Sequence, residues 1–383
     1  MERNNKRFRE NIWCVEMNRF IPLADPCIRE EEAKAVYEVV KSGWIRQGRI
    51  VEEFEKEFAK YLGVKHAIAV SSGTAALHVA LASLGIGEGN EVIVPSFTCA
   101  PPVSATILVR AVPVFADIEP VTYNINPDSV RKLISDKTKA VIPINYAGHP
   151  AELKELQEIA ESKGLYLIND AAEALGSMYN GKNIAQFGEV VVFSFSPNKT
   201  ITTGEGGMIV TNDDEIAEKA RIVRDYGQKE RFHYVELGFN YHMTEMQAAV
   251  GLVQLKKLEG FVERKRRNAK LLTKLLEELD DTIPPTELPN CKHCYMLYSV
   301  RVLKNRDKFS KLLKEKYGIQ NRVYFPPVHK SPMIGKFKHR TDKLTVTEEV
   351  SPTILSLPSS PSLSEADVHY IFESVKKCLE EIT

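Results

Sequence analysis

From about residue 30 onward, short apolar runs alternate with longer stretches of helical periodicity. Residues 30–41 and 51–62 carry apolar side chains at the three- and four-residue spacing of helices, with Gly43-Trp44-Ile45-Arg46-Gln47-Gly48 between them. Strands are expected at 66–70 (HAIAV), 91–95, 112–117, 140–145, 165–168 and 190–193 (VVVF). Helices are expected at 75–84, from 101 onward, and at 129–133, 151–163 and 213–224. Strand and helix in repeated alternation build βαβ units, hence an α/β fold with a mostly parallel sheet. A long helix should start from an N-cap at Thr244 and run to about Leu276. Its stretch 263–274, dense in lysine and arginine, reads as a solvated face. Prolines and short polar residues at 284–289 place a boundary between a large domain, 20–284, and a smaller α/β domain, 285–383. The latter should hold a strand at 298–303 and helices at 308–317 and 365–381. Residues 1–19 read as a flexible tail, and either Met1 or Met17 can be the start.

Charge changes this picture little. The 51 basic and 51 acidic residues cancel over 383 positions, so nothing global favours nucleic acid or an acidic membrane surface. No apolar run approaches the ~18–20 residues of a membrane span, and the charged N-terminus lacks the apolar core of a signal peptide. The expectation is a cytoplasmic protein with neither nucleic acid nor membrane as partner. Six scattered cysteines make no disulfide scaffold. Cys291-Lys-His-Cys294 is a lone CxxC with no second pair, so no metal site is expected.

Chemistry concentrates in residues 193–207, FSFSPNKTITTGEGG. Pro197 breaks the apolar run before Lys199, and Gly204, Gly206 and Gly207 permit tight turns after it. A lysine so placed should be partly desolvated, which lowers its pKa and frees an amine able to attack a carbonyl. Taken alone, it could as well be a solvated loop lysine. Ser71-Ser72-Gly73-Thr74 joins the strand 66–70 to the next helix, a geometry that aims free N–H groups at an anion, although Ser and Thr also serve as plain N-caps. Asp170 ends the run Leu165-Tyr166-Leu167-Ile168-Asn169, at the strand edge where open α/β sheets bind ligands. It could merely cap a following helix, 171–175. Beside a lysine nucleophile and a phosphate turn, a buried carboxylate can instead keep a pyridine nitrogen protonated. No GxGxxG opens a βαβ unit, which disfavours a nicotinamide dehydrogenase.

Together these segments resemble one family. SGWIRQG, AVSSGTAALHVAL, EVIVPSFT, NYAGHPAEL, NDAAEALGS, FSFSPNKTITTGEGG, GFNYHMTEMQAA and YFPPVH stand in order as in the DegT-type (DegT/DnrJ/EryC/StrS) sugar aminotransferases. The resemblance runs from Ile21 to Ile382. It implies the aspartate-aminotransferase fold (fold type I) and pyridoxal 5'-phosphate as cofactor. It also implies that Lys199 forms the covalent link to the cofactor and that Asp170 pairs with the pyridine nitrogen. Gly73, Thr74 and Ser194 would hold the phosphate, and Glu173 would stand close to the ring. Asn240 would reach the phosphate of the neighbouring subunit's cofactor, making a homodimer with shared sites the smallest complete unit. Tyr324 and His329 would lie near the substrate.

Two positions depart from the pattern. Cys99 occupies a place that is often aromatic and stacked on the ring, so no stacking residue is assigned. His242 replaces the arginine usual after Asn-Tyr, so an anion contact from that position does not transfer. Relatives with histidine in place of the lysine act as dehydratases, whereas Lys199 is present here and points to transamination. The resemblance implies L-glutamate as donor and a nucleotide-linked 4-keto-6-deoxy (or 3-keto) sugar as acceptor, in amino-sugar and polysaccharide biosynthesis. A keto-cyclitol or other cyclic ketone is the alternative acceptor. A non-catalytic sensor that merely binds the cofactor is a reading from another class.

Overall fold

The computed structural model describes residues 19–382. The tail expected over 1–19 therefore falls, except for Arg19, outside the described residues, as does Cys14. Eight strands form the main sheet in the order His66–Val70, Gly207–Thr211, Val190–Ser194, Tyr166–Asp170, Thr138–Val141, Glu91–Pro95, Val112–Ala116 and Arg340–Thr341. From Val190–Ser194 to Arg340–Thr341 every neighbouring pair is parallel. Gly207–Thr211 runs antiparallel to both of its neighbours. The sheet is thus mostly parallel, as expected, with one reversed strand that the reading of 193–207 as a glycine-rich loop did not reveal.

Both faces of the sheet are covered. Val191 and Phe193 join one apolar cluster with Phe54, Phe58 and Phe195, while Val190 and Val192 join another with Ile68, Leu77 and Leu81. Alternate residues of one strand point to opposite faces, so a strand buried on both sides must be apolar throughout. That is why these strands read as short continuous runs.

Most elements start and stop where turn chemistry dictates. Helix Asp214–Arg224 is capped by Asp213, whose Oδ1 accepts from the N–H groups of Glu215 at 2.8 Å and Ile216 at 2.9 Å. Helix Glu245–Leu276 begins at a capping box. The Thr244 hydroxyl accepts from Gln247 N at 3.3 Å, and the Gln247 side-chain oxygen accepts from Thr244 N at 2.8 Å. Residues 171–175 form turns rather than the helix considered for them. Asp170 does receive the Ala172 N–H at 2.9 Å, but no helix follows.

The long helix bridges two cores. Near its start Ala248 and Leu258 pack with Phe54, and near its end Ala269, Leu272 and Leu276 enter a third cluster. That cluster lies on an antiparallel sheet of Thr282–Ile283, Tyr298–Val302 and Ile354–Leu357, covered by helices Arg306–Glu315 and Glu365–Ile382. The solvated face expected at 263–274 is present at Glu263, Arg264, Arg267, Lys270 and Lys274, all exposed, but not at the two residues between Arg264 and Arg267. Lys265 is buried and donates to Met296 O at 3.1 Å, and Arg266 pairs with Glu287 at 2.8 Å. At these two residues the helix is packed on its neighbours and meets carbonyl groups where a free helix would meet water. Burial pulls the Lys265 amine down to about 8. No helix among the described residues is long and apolar enough to cross a membrane.

Candidate active site

Four strand ends converge at one edge. Val70 pairs with Gly207, and Gly207 with Ser194. Because two successive reversals restore direction, His66–Val70 and Val190–Ser194 end on the same side. Asp170 pairs with Val192 on the neighbouring strand, and Ser96 follows Glu91–Pro95. Lys199 lies in the loop joining Val190–Ser194 to the reversed strand Gly207–Thr211. This loop is closed by bonds from Phe195 N to Gly206 O at 2.9 Å and from Thr203 N to Phe195 O at 3.0 Å.

The Lys199 side chain is only 13% exposed, and its Nζ donates to Glu173 Oε1 at 3.3 Å. Glu173 is itself buried, and its other oxygen accepts from Ala147 N at 2.8 Å. The lowered lysine pKa expected from desolvation is not what results. Burial does pull the ammonium down, but the charge of Glu173, with that of Asp170 behind it, outweighs this and leaves Lys199 above its ordinary value. The amine is therefore held as an ammonium beside a carboxylate. It can become a nucleophile by passing its proton to a neighbouring base as it reacts.

Asp170 is buried at the sheet edge. Burial pushes its carboxyl up to about 6, against the lowering effects of the Ala172 N–H and of Lys199. Since the folded state binds this proton more tightly than the unfolded chain, Asp170's contribution to stability is full below the unfolded value of 3.8 and is lost as pH rises through about 6. Without cofactor, Asp170→Asn should therefore be more stable than the parent by about 1–3 kcal/mol at pH 8, with the gap closing near pH 4. Thermal midpoints at the two pH values test this. A less stable variant at pH 8 would mean that burial of the charge is not what raises Asp170.

The turn after His66–Val70 caps the helix and leaves donors free at its start. Ser72 caps helix Gly73–Ser83 by accepting from Ala75 N at 3.1 Å. The first N–H groups of the helix, those of Gly73 and Thr74, donate to none of the described residues. Gly73 stands directly against Ser194. A Cβ there would lie 2.8 Å from the serine Cβ and 3.1 Å from its hydroxyl, so only glycine lets the helix start pack this closely on the strand end that carries the Ser194 hydroxyl.

The other expected residues are spread more widely. Asn240 is exposed and lies in an extended segment bridged to Asp225. The next residue ties this segment to the phosphate turn, through Ser71 N to Tyr241 O at 2.8 Å. His242 is bound to Asp225 at 2.9 Å, which occupies its Nε2. His329 hydrogen-bonds Ser96 through Nδ1 and lies 3.6 Å from Glu348 through Nε2. Tyr324 offers its carbonyl to the Tyr146 hydroxyl. Neither His329 nor Tyr324 bonds to Lys199, Asp170 or Glu173. Cys99 does face that cluster, and burial followed by the charge of Glu173 pushes its thiol up to about 12, leaving it neutral. The two sulfurs of the CxxC diverge, Cys291 towards Asn290 Oδ1 at 3.6 Å and Cys294 towards Glu173 O at 3.4 Å. Tyr146 and Ala147, within the NYAGHPAEL motif, were given no role from sequence. They link Glu173 to the Tyr324 segment.

An aldehyde carrying a phosphate and a pyridine ring fits these groups: an amine for the carbonyl, free N–H donors at a helix start beside a serine hydroxyl for the phosphate, and a buried acid for the ring nitrogen. Fold and site together define a transferase that depends on pyridoxal 5'-phosphate, of fold type I. The sequence model of the DegT/DnrJ/EryC1/StrS aminotransferase family matches residues 26–376, and the chain belongs to that family. It is similar to a GDP-perosamine synthase from Escherichia coli O157:H7, with 37% identity over 94% of this chain and 98% of that one. A pleiotropic regulatory protein from Geobacillus stearothermophilus is 37% identical over 91% of this chain and 94% of its own. Among solved structures, that of DesV from S. venezuelae superposes with a TM-score of 0.91 at 33% identity, covering 96% of this chain and all of that one (100%). The protein is a pyridoxal phosphate-dependent transaminase.

Proposed function

We propose that the enzyme takes an amino group from L-glutamate and delivers it to the keto carbon of a nucleotide-linked 4-keto-6-deoxy or 3-keto sugar, in the cytoplasm, as a homodimer with shared sites. The observation that carries this reading is the near full-length likeness to a GDP-perosamine synthase, on a chain that retains Lys199, Asp170 and Glu173 together. Bound pyridoxal phosphate supplies an electron sink and carries the amino group between donor and acceptor. Lys199 attaches the cofactor and, once displaced, moves a proton at the donor α-carbon. Asp170 keeps the ring nitrogen protonated, and Glu173 holds the Lys199 nitrogen in place through the hydrogen bond between them. Gly73, Thr74 and Ser194 hold the phosphate. Tyr324 and His329 orient the acceptor. The regulatory relative favours a second reading, a cofactor-binding sensor. Purified holoprotein given L-glutamate without acceptor should release about one 2-oxoglutarate per subunit. No release would favour the sensor.

The dimer is supported by surface chemistry. Phe232 (69% exposed), Tyr234 and Leu237 (77%) lie on or beside an antiparallel hairpin that adjoins the Asn240 segment. Such a cluster of large apolar side chains is costly in water and suits a second copy. Asn240 would then reach the partner's phosphate. Lys199→Ala and Asn240→Arg proteins, each inactive, should regain activity on mixing, because one site of a heterodimer carries both lesions and the other neither. About half the heterodimer's sites then work. Proven subunit exchange with no recovery would remove Asn240 from the partner's site.

A further inference from the structure

Cys294 has no part in the chemistry above, yet it sits directly behind the carboxylate that partners Lys199. The thiol is fully buried and donates to the main-chain oxygen of Glu173 at 3.4 Å. Its N–H lies 3.3 Å from Gly148 O and 3.2 Å from the Ser177 hydroxyl. Ser177 in turn donates to the same Gly148 oxygen at 2.7 Å. Three residues on, Leu297 N donates to Ala147 O at 3.1 Å. The strap 294–297 thus clamps two consecutive residues with left-handed backbone, Ala147 (φ 56°) and Gly148 (φ 97°). For alanine that conformation costs about 1–2 kcal/mol and needs such a clamp. The Ala147 N–H held in this way is the one that Glu173 Oε2 accepts. There is no slack in the arrangement. A Cβ on Gly148 would stand 2.4 Å from the Cys294 sulfur and 3.0 Å from Glu173 O.

We propose that Cys294 is a positioning residue for the Lys199 amine: by holding the Glu173 main chain and the 147–148 turn, it makes the carboxylate span Ala147 N–H and Lys199 Nζ. The titratable groups that face Lys199 are Glu173, Asp170 and the neutral Cys99 thiol, and the buried Lys265 of the long helix is within electrostatic reach. Among the described residues Glu173 alone lies at ion-pair distance from it, already 3.3 Å away. A small retreat of Glu173 would therefore break the hydrogen bond, whereas the other charges would act as before. Cys291 lies on the same segment but points at Asn290, and so provides an internal control.

The test uses the cofactor-free protein, so it stands or falls separately from the choice of acceptor. Trace acetylation at pH 9, with peptide mass spectrometry, compares the rate at Lys199 with that at exposed Lys137 in the same digest. The rate follows the free-amine fraction, which rises tenfold for each unit of lowered pKa. Glu173→Gln should raise the relative rate about tenfold and Cys294→Ala about threefold. Cys294→Ser, which keeps a donor, and Cys291→Ala should stay within about twofold of the parent. In the Glu173→Gln background, Cys294→Ala should add nothing, because its effect passes through that carboxylate. If the alanine variant does not fold, Cys294→Val, which fills the space but cannot donate, replaces it with the same expectations. An unchanged rate in the folded variant overturns the proposal. So does an increase that persists without Glu173, since the cysteine would then only fill space or limit access.

Discussion

Lys199→Ala should lose turnover by ~10⁴-fold or more, because one substitution removes both the proposed covalent attachment point and the proposed proton-transfer group. The structure gives the amine no understudy. It lies at the closed end of a loop between two antiparallel strands, paired with Glu173. Lys265, the other buried lysine near it, is committed to the Met296 carbonyl. Borohydride reduction of the parent holoenzyme should fix the cofactor to the peptide containing Lys199 and to no other. The variant should still bind the cofactor, since the Gly73–Thr74 turn and Asp170 are untouched, but should release it on dialysis. Label on a different lysine, or activity within a few-fold of the parent, would remove Lys199 from the chemistry.

Asp170→Asn should fold normally and lose on the order of 10²–10⁴ in rate. The argument rests on burial. A carboxylate at this sheet edge, with its pKa raised to about 6, is a costly group to ionise in isolation and becomes favourable opposite a protonated ring nitrogen. Asparagine is nearly isosteric but cannot supply the charge that keeps such a proton in place. The loss should fall on kcat rather than on KM for either substrate, because the charge matters most as negative charge develops on the ring. This is the variant expected to gain stability at pH 8 without cofactor, so activity and stability should move in opposite directions. Turnover within a few-fold of the parent would show that Asp170 does not hold that proton.

Much of the fold is legible from sequence for a simple reason. Runs such as 66–70 and 91–95 are buried on both faces and bounded by polar turns, so their ends coincide with the observed strands. The strand Gly207–Thr211 was hidden because its first residue belongs to a glycine-rich turn, and because reversal depends on loop closure through Phe195 and Gly206. Lys199 was placed correctly as partly desolvated but misread in protonation. Burial is visible in a sequence, whereas its opposing charge, Glu173, arrives through a turn 26 residues earlier in the chain. The same limit applies to Lys265, whose fate depends on a carbonyl 31 residues away, and to Cys294, whose partner lies 121 residues back. Asn240 is a different case. Its proposed contact requires a second chain, which no single chain displays.

The central claim is that amino nitrogen passes from an amino acid to a nucleotide-linked keto sugar. The most direct measurement incubates the purified holoenzyme with ¹⁵N-labelled L-glutamate and a panel of 4-keto-6-deoxy and 3-keto nucleotide sugars, with a keto-cyclitol alongside. Mass spectrometry should find ¹⁵N in the amino sugar of at least one nucleotide, with matching 2-oxoglutarate, and none when Lys199→Ala replaces the parent. Label entering only the cyclitol, or 2-oxoglutarate released with no nitrogen reaching any nucleotide sugar, would contradict it.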